Sequence, residues 1–237
     1  MNTRMLAACL AAAVAAPALA DTTTTFDNGL EGWSISGRTD INPTGGNPGA
    51  NLHGVLIDVF GADIRNNTND AFLGDLSRYG MLELSIDIQV NSINFFGQEV
   101  PRDLVVELRD YTNNNGYPWT SVYYNLGTLQ AVSEGNDGWV TYSVIIEDPF
   151  AVGLPDGWGG YGDETPLGDP ILPAGRTFAS VLASVDEISF TTFVPGFFFG
   201  FTNFDIQVDN IAIRTVPAPS AVALLGFGGL VGARRRR

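Results

Sequence analysis

The chain has 237 residues, the length of one domain with appendages, and its 45% hydrophobic and 16% charged residues allow a real core and exclude a disordered chain. The formal net charge is −14, from 26 Asp and Glu against 12 cations that are all arginine, which excludes a nucleic-acid partner because phosphate binding needs a basic face. One cysteine and one histidine exclude an intrachain disulfide framework, a cysteine-built metal site and the common His-rich zinc sites.

The first twenty residues have three parts. Arg4 supplies a positive start, and residues 5–16 are apolar. Pro17-Ala18-Leu19-Ala20 then places the small residues Ala18 and Ala20 at the −3 and −1 positions before Asp21. This layout is that of a secretory signal peptide, and residues 1–20 are set apart from the fold. As a membrane anchor the run is too short, since a span needs about 20 apolar residues. Cys9 lies inside the segment, so a chain processed at Asp21 has no cysteine and must hold together without crosslinks.

Residues 21–215 read as strands separated by turns. Residues 55–60 are the first clear candidate. In residues 82–90, Leu82, Leu84, Ile86, Ile88 and Val90 alternate with Glu83, Ser85, Asp87 and Gln89, as a half-buried strand requires. Residues 104–110 repeat the alternation, and residues 121–126 follow the turn signal Asn113-Asn114-Asn115-Gly116. Gly138-Trp139 introduces a strand over 140–146, and residues 187–193 and 204–213 are the last candidates. A short helix is expected around Phe178 to Val185. The Pro- and Gly-rich stretch 149–175 has no period and reads as a long loop, functional or disordered. The pattern predicts an all-β, antiparallel two-sheet sandwich with one short helix. Trp33 and Trp139 are assigned to its core, residues 197–199 to a hairpin tip or, by preference, a buried loop, and His53 to a loop or sheet edge.

The last segment mirrors the first. Val216-Pro217-Ala218-Pro219-Ser220 precedes the thirteen-residue apolar run 221–233, and Arg234, Arg235, Arg236 and Arg237 follow it. An apolar run capped by cations is a stop-transfer pattern, although thirteen residues fall short of a full span. The segment 216–237 resembles the PEP-CTERM sorting signal of exported proteins in exopolysaccharide-making Gram-negative bacteria, with Ala218 where that family usually has Glu. The resemblance implies a transient transmembrane stay of the C-terminal apolar helix in the inner membrane. It also implies an exosortase-type membrane protease as partner, and a destination in the cell envelope, at the outer surface or in the extracellular matrix. Residues 21–216 keep all 26 acids and seven arginines, a net charge of about −19. Such a body is soluble and repelled by anionic surfaces.

A second resemblance covers the body. It opens with Phe26-Asp27-Asn28-Gly29-Leu30-Glu31-Gly32-Trp33 and closes with Val208-Asp209-Asn210-Ile211. These motifs resemble galactose-binding-like jelly rolls, which include laminin-B-type domains and carbohydrate-binding modules. The resemblance implies a jelly-roll sandwich and a structural Ca²⁺ near the two chain ends, with Asp27 and Asp209 as its matching ligands. The residues by themselves equally allow Asp27 to begin a turn and Asp209 to bond a strand bulge.

Aromatic residues next to polar turns suggest a glycan platform, because sugars stack on rings while Asn, Asp and Arg hold their hydroxyls. Tyr117 and Trp119 follow the Asn-rich turn, and Trp158 and Tyr161 sit in the glycine-rich stretch. Tyr123 and Tyr124 must point to opposite faces of a strand. No catalytic constellation is present: no nucleophile elbow, zinc-binding His-Glu-x-x-His, phosphate loop or EF-hand loop occurs. The reading is an exported, non-catalytic matrix protein whose sandwich contacts polysaccharide. A purely structural surface protein and a polysaccharide-acting enzyme are the alternatives.

Overall fold

A computed structural model describes residues 21–112, 116–131 and 138–217. The signal-peptide segment with Ala18 and Ala20, the sorting residues Ala218, Pro219, Ser220, Arg234, Arg235, Arg236 and Arg237, and the apolar run 221–233 lie outside the described residues. Of the sorting motif, Val216 donates its N–H to Met81 O (2.9 Å) and Pro217 is exposed.

Among the described residues fifteen strands, one α-helix and a 3-10 turn (Leu76–Tyr79) follow in order. They are β1 (Thr22–Thr24), β2 (Trp33–Ile35), β3 (Asp40–Gly46), β4 (Gly49–Val59), β5 (Asp63–Asn66), β6 (Leu82–Phe95), β7 (Gln98–Glu99) and β8 (Arg102–Asp110). Then come β9 (Thr120–Leu129), β10 (Trp139–Ile146), β11 (Trp158–Tyr161), β12 (Asp163–Glu164), β13 (Pro170–Ile171), α1 (Phe178–Leu182), β14 (Glu187–Thr191) and β15 (Thr202–Thr215). One sheet has the order β10-β6-β15-β4-β3, with β1 on β15 and β7 on β6, and the second has the order β11-β9-β8-β14-β5-β2. All pairings in both sheets are antiparallel. The protein is an all-β jelly-roll sandwich with one short helix.

The two sheets close on one apolar core. From the first sheet come Leu82, Leu84, Ile86, Ile88 and Val90, the residues picked out by alternation, all buried. From the second come Leu104, Val106, Leu108, Ile188 and Phe190. Trp33 joins them, edge-on to Phe72 at 5.2 Å between ring centroids. A buried aromatic pair in this geometry adds about 0.5–1.5 kcal/mol beyond its area. The helix α1 starts where Thr177 accepts from Ser180 N and Ser180 Oγ accepts from Thr177 N, a capping box that satisfies two free amides. Its Phe178 packs edge-on to Trp158 at 5.0 Å.

Four expectations change. Residues 149–175 are not a bare loop, since β11 extends the second sheet and β12 and β13 form a small hairpin. His53 lies on β4, between β15 and β3, where its Nε2 meets Asp205 Oδ1 at 2.8 Å. Trp139 opens an edge strand and is only half-buried. Phe197 and Phe198 are 62% and 73% exposed. They belong to a phenylalanine cluster at one pole, where Phe60 stacks on Phe201 at 4.2 Å.

Candidate functional site

The outer face of the second sheet carries the chemistry. Register places Glu187, Arg109, Ser121 and Tyr161 in one row across β14, β8, β9 and β11. The next row holds Arg65, Ser189, Glu107, Tyr123 and Gly159. Gly159 has no side chain where a Cβ would strike the Tyr123 ring, so Tyr123 can lie across β11.

At the centre is Arg109, 2% exposed. Its Nε and Nη2 donate to Glu107 Oε2 (2.8 and 2.7 Å), its Nη1 to Glu187 Oε1 (2.5 Å), and its Nη2 also reaches Asp63 Oδ1 (3.4 Å). Burial alone would lower the guanidinium pKa, but Glu107, Asp63 and Glu187 raise it on balance, so it stays charged. Glu107 Oε1 accepts from Trp119 Nε1 (2.8 Å) and Ser121 Oγ (2.5 Å). The Trp119 ring therefore lies over the guanidinium, 4.3 Å from its carbon to the ring centroid. One face of the indole is taken and its edge is tethered, which leaves a pre-oriented ring at the surface.

Between ring centroids, Tyr161 lies 6.2 Å from Trp119, Tyr117 lies 5.5 Å from Tyr161, and Tyr111 lies 6.3 Å from Trp119. Burial, and then Glu187, push the Tyr111 phenol up to about 12. Burial followed by carboxylates also raises Tyr117 (Glu164) and Tyr161 (Glu107 and Glu164). An open pocket of about 340 Å³ lies over this floor, walled by Trp119 and Tyr161 and by residues 193–196.

Three of the four expected aromatic residues thus meet. Trp158 does not: it is 8% exposed and packs inward on Tyr124 and Phe178. Trp158 and Tyr161 are three residues apart on one strand, so they point to opposite faces. The site also contains residues that alternation alone does not select: Asp63, Glu107, Arg109 and Glu187. The one sequence sign was Glu107 two residues before Arg109, opposite charges on one strand face.

Asp27 and Asp209 do meet, at the corner where β15 passes from β4 to β1. Asp209 Oδ2 accepts from Asn47 N (2.5 Å) and Oδ1 from Asn210 N (2.7 Å). Asp27 Oδ1 accepts from Ala50 N (2.9 Å) and Oδ2 from Thr25 Oγ1 (3.3 Å). Asp87 joins them, taking Thr141 Oγ1, Asn47 Nδ2 and Asn210 Nδ2. Gly49, at φ +98°, lets the β3–β4 hairpin approach, since a Cβ there would lie 2.5 Å from Asp27 Oδ1. Burial raises the Asp209 pKa, with Asp87 and Asp27 adding to it against the two backbone N–H groups. Among the described residues no three His, Cys, Asp or Glu side chains are grouped to hold a metal ion. The carboxylates of Asp27 and Asp209 accept from amides of the β3–β4 hairpin and of Asn210.

No family model matches the chain, and no curated protein matches it. Solved structures similar to it include the CBM22-1 xylan-binding domain from Paenibacillus barcinonensis Xyn10C, at 15% identity and TM-score 0.46, covering 86% of this chain and 99% of that one. A family 30 carbohydrate-binding module of a Clostridium thermocellum cellulosomal cellulase aligns at 17% identity and TM-score 0.41, over 84% of this chain and 100% of that one. The CBM22-1–GH10 modules of a Clostridium thermocellum endo-1,4-beta-D-xylanase, complexed with xylohexaose, align at 12% identity and TM-score 0.44. That alignment covers 83% of this chain and 28% of the xylanase chain. What the face of this protein can bind rests on its own geometry.

Proposed function

We propose that the protein is a non-catalytic glycan-binding protein whose site is the outer face of the second sheet around Trp119. The observation that carries this is the tethered Trp119 ring beside an open pocket, with Tyr161 and Tyr117 continuing the aromatic surface. A ring held in place in advance loses little freedom when a sugar stacks on it, and the polar floor supplies partners for hydroxyls. Glu107 and Glu187 are both engaged by Arg109, an arrangement that holds a surface rigid and leaves neither carboxylate free to shuttle protons. Affinity electrophoresis of the full chain against a panel of soluble polysaccharides tests the reading. At least one glycan retards the wild type, and Trp119→Ala weakens that binding about tenfold. No retardation by any glycan would leave a purely structural role, and turnover abolished by one carboxylate substitution would make the protein an enzyme.

We also propose that residues 1–20 export the chain and residues 216–237 sort it to the cell envelope through an exosortase-type protease. The support is the order Pro-x-Pro, apolar run and arginine cluster. Among the described residues no helix is long and apolar enough to cross a membrane. Deleting residues 217–237 changes how the protein fractionates from its producer; identical fractionation would reject the tail as an address.

A further inference from the structure

The phenylalanine pole is the most apolar part of the surface. Phe60, Phe96, Phe193, Phe197, Phe198 and Phe201 are each between 41% and 89% exposed. They come from three connections: β4–β5, β6–β7, and the stretch from β14 to β15. Phe60 links them, stacked on Phe201 at 4.2 Å and 5.0 Å from Phe198 between ring centroids. With about 200 Å² for a whole phenylalanine side chain, the six rings present about 700 Å². A contiguous apolar patch of that size marks an interaction surface.

The rings are braced from below. Arg102 is buried and donates from Nη1 to Pro101 O and from Nη2 to Thr202 Oγ1, both at 2.8 Å. Its guanidinium carbon lies 4.6 Å from the Phe199 ring centroid, and Phe199 lies 4.6 Å from Phe197. A turn closed by Phe197 N and Val194 O (3.0 Å) sets the course of the loop. Rings held out in this way lose little freedom when they are covered. Hollows alternate with them. One of about 440 Å³ lies between Phe96 and Phe201, over Asn94 and Asn203, and one of about 120 Å³ lies among Phe60, Phe193, Phe197 and Phe198. Projecting rings and hollows on one patch are what a two-fold contact needs, since each copy must supply both.

The position of the pole favours a second copy over a lipid surface. β15 runs fourteen residues from this pole to Thr215, so the end that leads into the C-terminal segment lies about 45 Å away. A chain held at a membrane by that segment points these rings away from it. Asp58 lines the larger hollow, and among the described residues no cation lines either one, so nothing there attracts anionic headgroups.

We infer that two copies of the chain join through this pole as a two-fold dimer, Phe198 of each entering the hollow between Phe96 and Phe201 of the other. The rings of both copies bury about 1,400 Å² in total, within the range of about 1,200–2,000 Å² of a specific interface. The dimer goes beyond the glycan reading and stands without it. Together with that reading, it carries two Trp119 faces on one particle and makes its hold on a polymer bivalent.

Sedimentation velocity of the full chain over a concentration series tests the inference, in reducing buffer so that Cys9 forms no crosslink. The wild type passes from monomer to dimer with a dissociation constant of about 10 µM, and below that concentration the rings are open. Phe96→Ser combined with Phe198→Ser weakens the dimer about 100-fold. Phe96→Asp alone changes the most exposed of the six rings, weakens the dimer about tenfold and keeps the melt of the monomeric wild type. A wild type that stays monomeric to about 200 µM overturns the dimer. Association that the variants leave unchanged also overturns it, because the contact then lies on another surface. Association that grows past two copies overturns the two-fold form. Flotation with phosphatidylcholine vesicles tests the other occupant. Wild type that floats where the double variant does not makes the pole a membrane surface and overturns the dimer; equal flotation of the two leaves the pole to the second copy.

Discussion

Arg109 shows how one residue organises a face in a chain this acidic. With seven arginines among 26 acids in residues 21–216, carboxylates far outnumber the guanidiniums they can pair with. Arg109 holds Glu107 and Glu187 by direct bonds, and through Glu107 it holds Trp119. Removing it leaves buried negative charge without a partner, a loss of about 3–5 kcal/mol. Arg109→Met should therefore lower the urea midpoint at neutral pH and recover part of the loss on acidification, as the stranded carboxylates take up protons. A midpoint equal to wild type at pH 7 would show that the network is not holding the face together. Asp209 gives a second test. Its pKa is raised in the folded state, so its contribution to stability is full below the ordinary 3.8 and is lost as pH rises through the raised value. Asp209→Asn should flatten that part of the stability curve. If a cation sits at this corner, excess chelator lowers the wild-type melt; an unchanged melt rejects it.

At the scale of elements, β11 decides which aromatics reach the surface. Trp158→Ala should cost about 3–5 kcal/mol of stability, because it empties a site between Tyr124 and Phe178. Trp119→Ala should do the reverse, weakening glycan binding with a smaller effect on the melt. Chemical denaturation and affinity electrophoresis on the same two variants check the pair, and matching profiles would contradict the assignment of faces. Strands β6, β8, β10 and β15 were legible because their apolar residues alternate over long runs. β11 was not, because Trp158-Gly159-Gly160-Tyr161 has glycine at both middle positions and no side-chain period to read. The burial of both faces of β8 was also hidden. Alternation marks Leu104, Val106 and Leu108 as inward, but Glu107 and Arg109 are covered by partners distant in sequence.

At the scale of the whole molecule, the two ends of the described body meet at one pole. β1 pairs with the last residues of β15, and Thr215 N donates to Asp21 Oδ1 (2.8 Å). The phenylalanine cluster lies at the opposite pole, where β15 begins, with Phe96 89% exposed on the β6–β7 turn. Phe96→Ser combined with Phe198→Ser should reduce binding of a hydrophobic dye while changing stability by only about 0.5 kcal/mol, since neither ring is buried. A large loss of stability would mean that the cluster closes on itself in solution.

Local pattern was enough to determine the all-β class, the alternating core of the central strands, the short helix and the acidity of the body. Each follows from residues within a few positions of one another, which is the range over which periodicity, turn chemistry and charge act. Tertiary structure decided that Trp119 is tethered while Trp158 is buried, that Tyr117 meets Tyr161 at a right angle, and that Asp27, Asp87 and Asp209 share a corner. Those facts depend on strand register across the sheets and on partners as much as 162 positions apart, and a linear pattern has no term for what lies across a sheet.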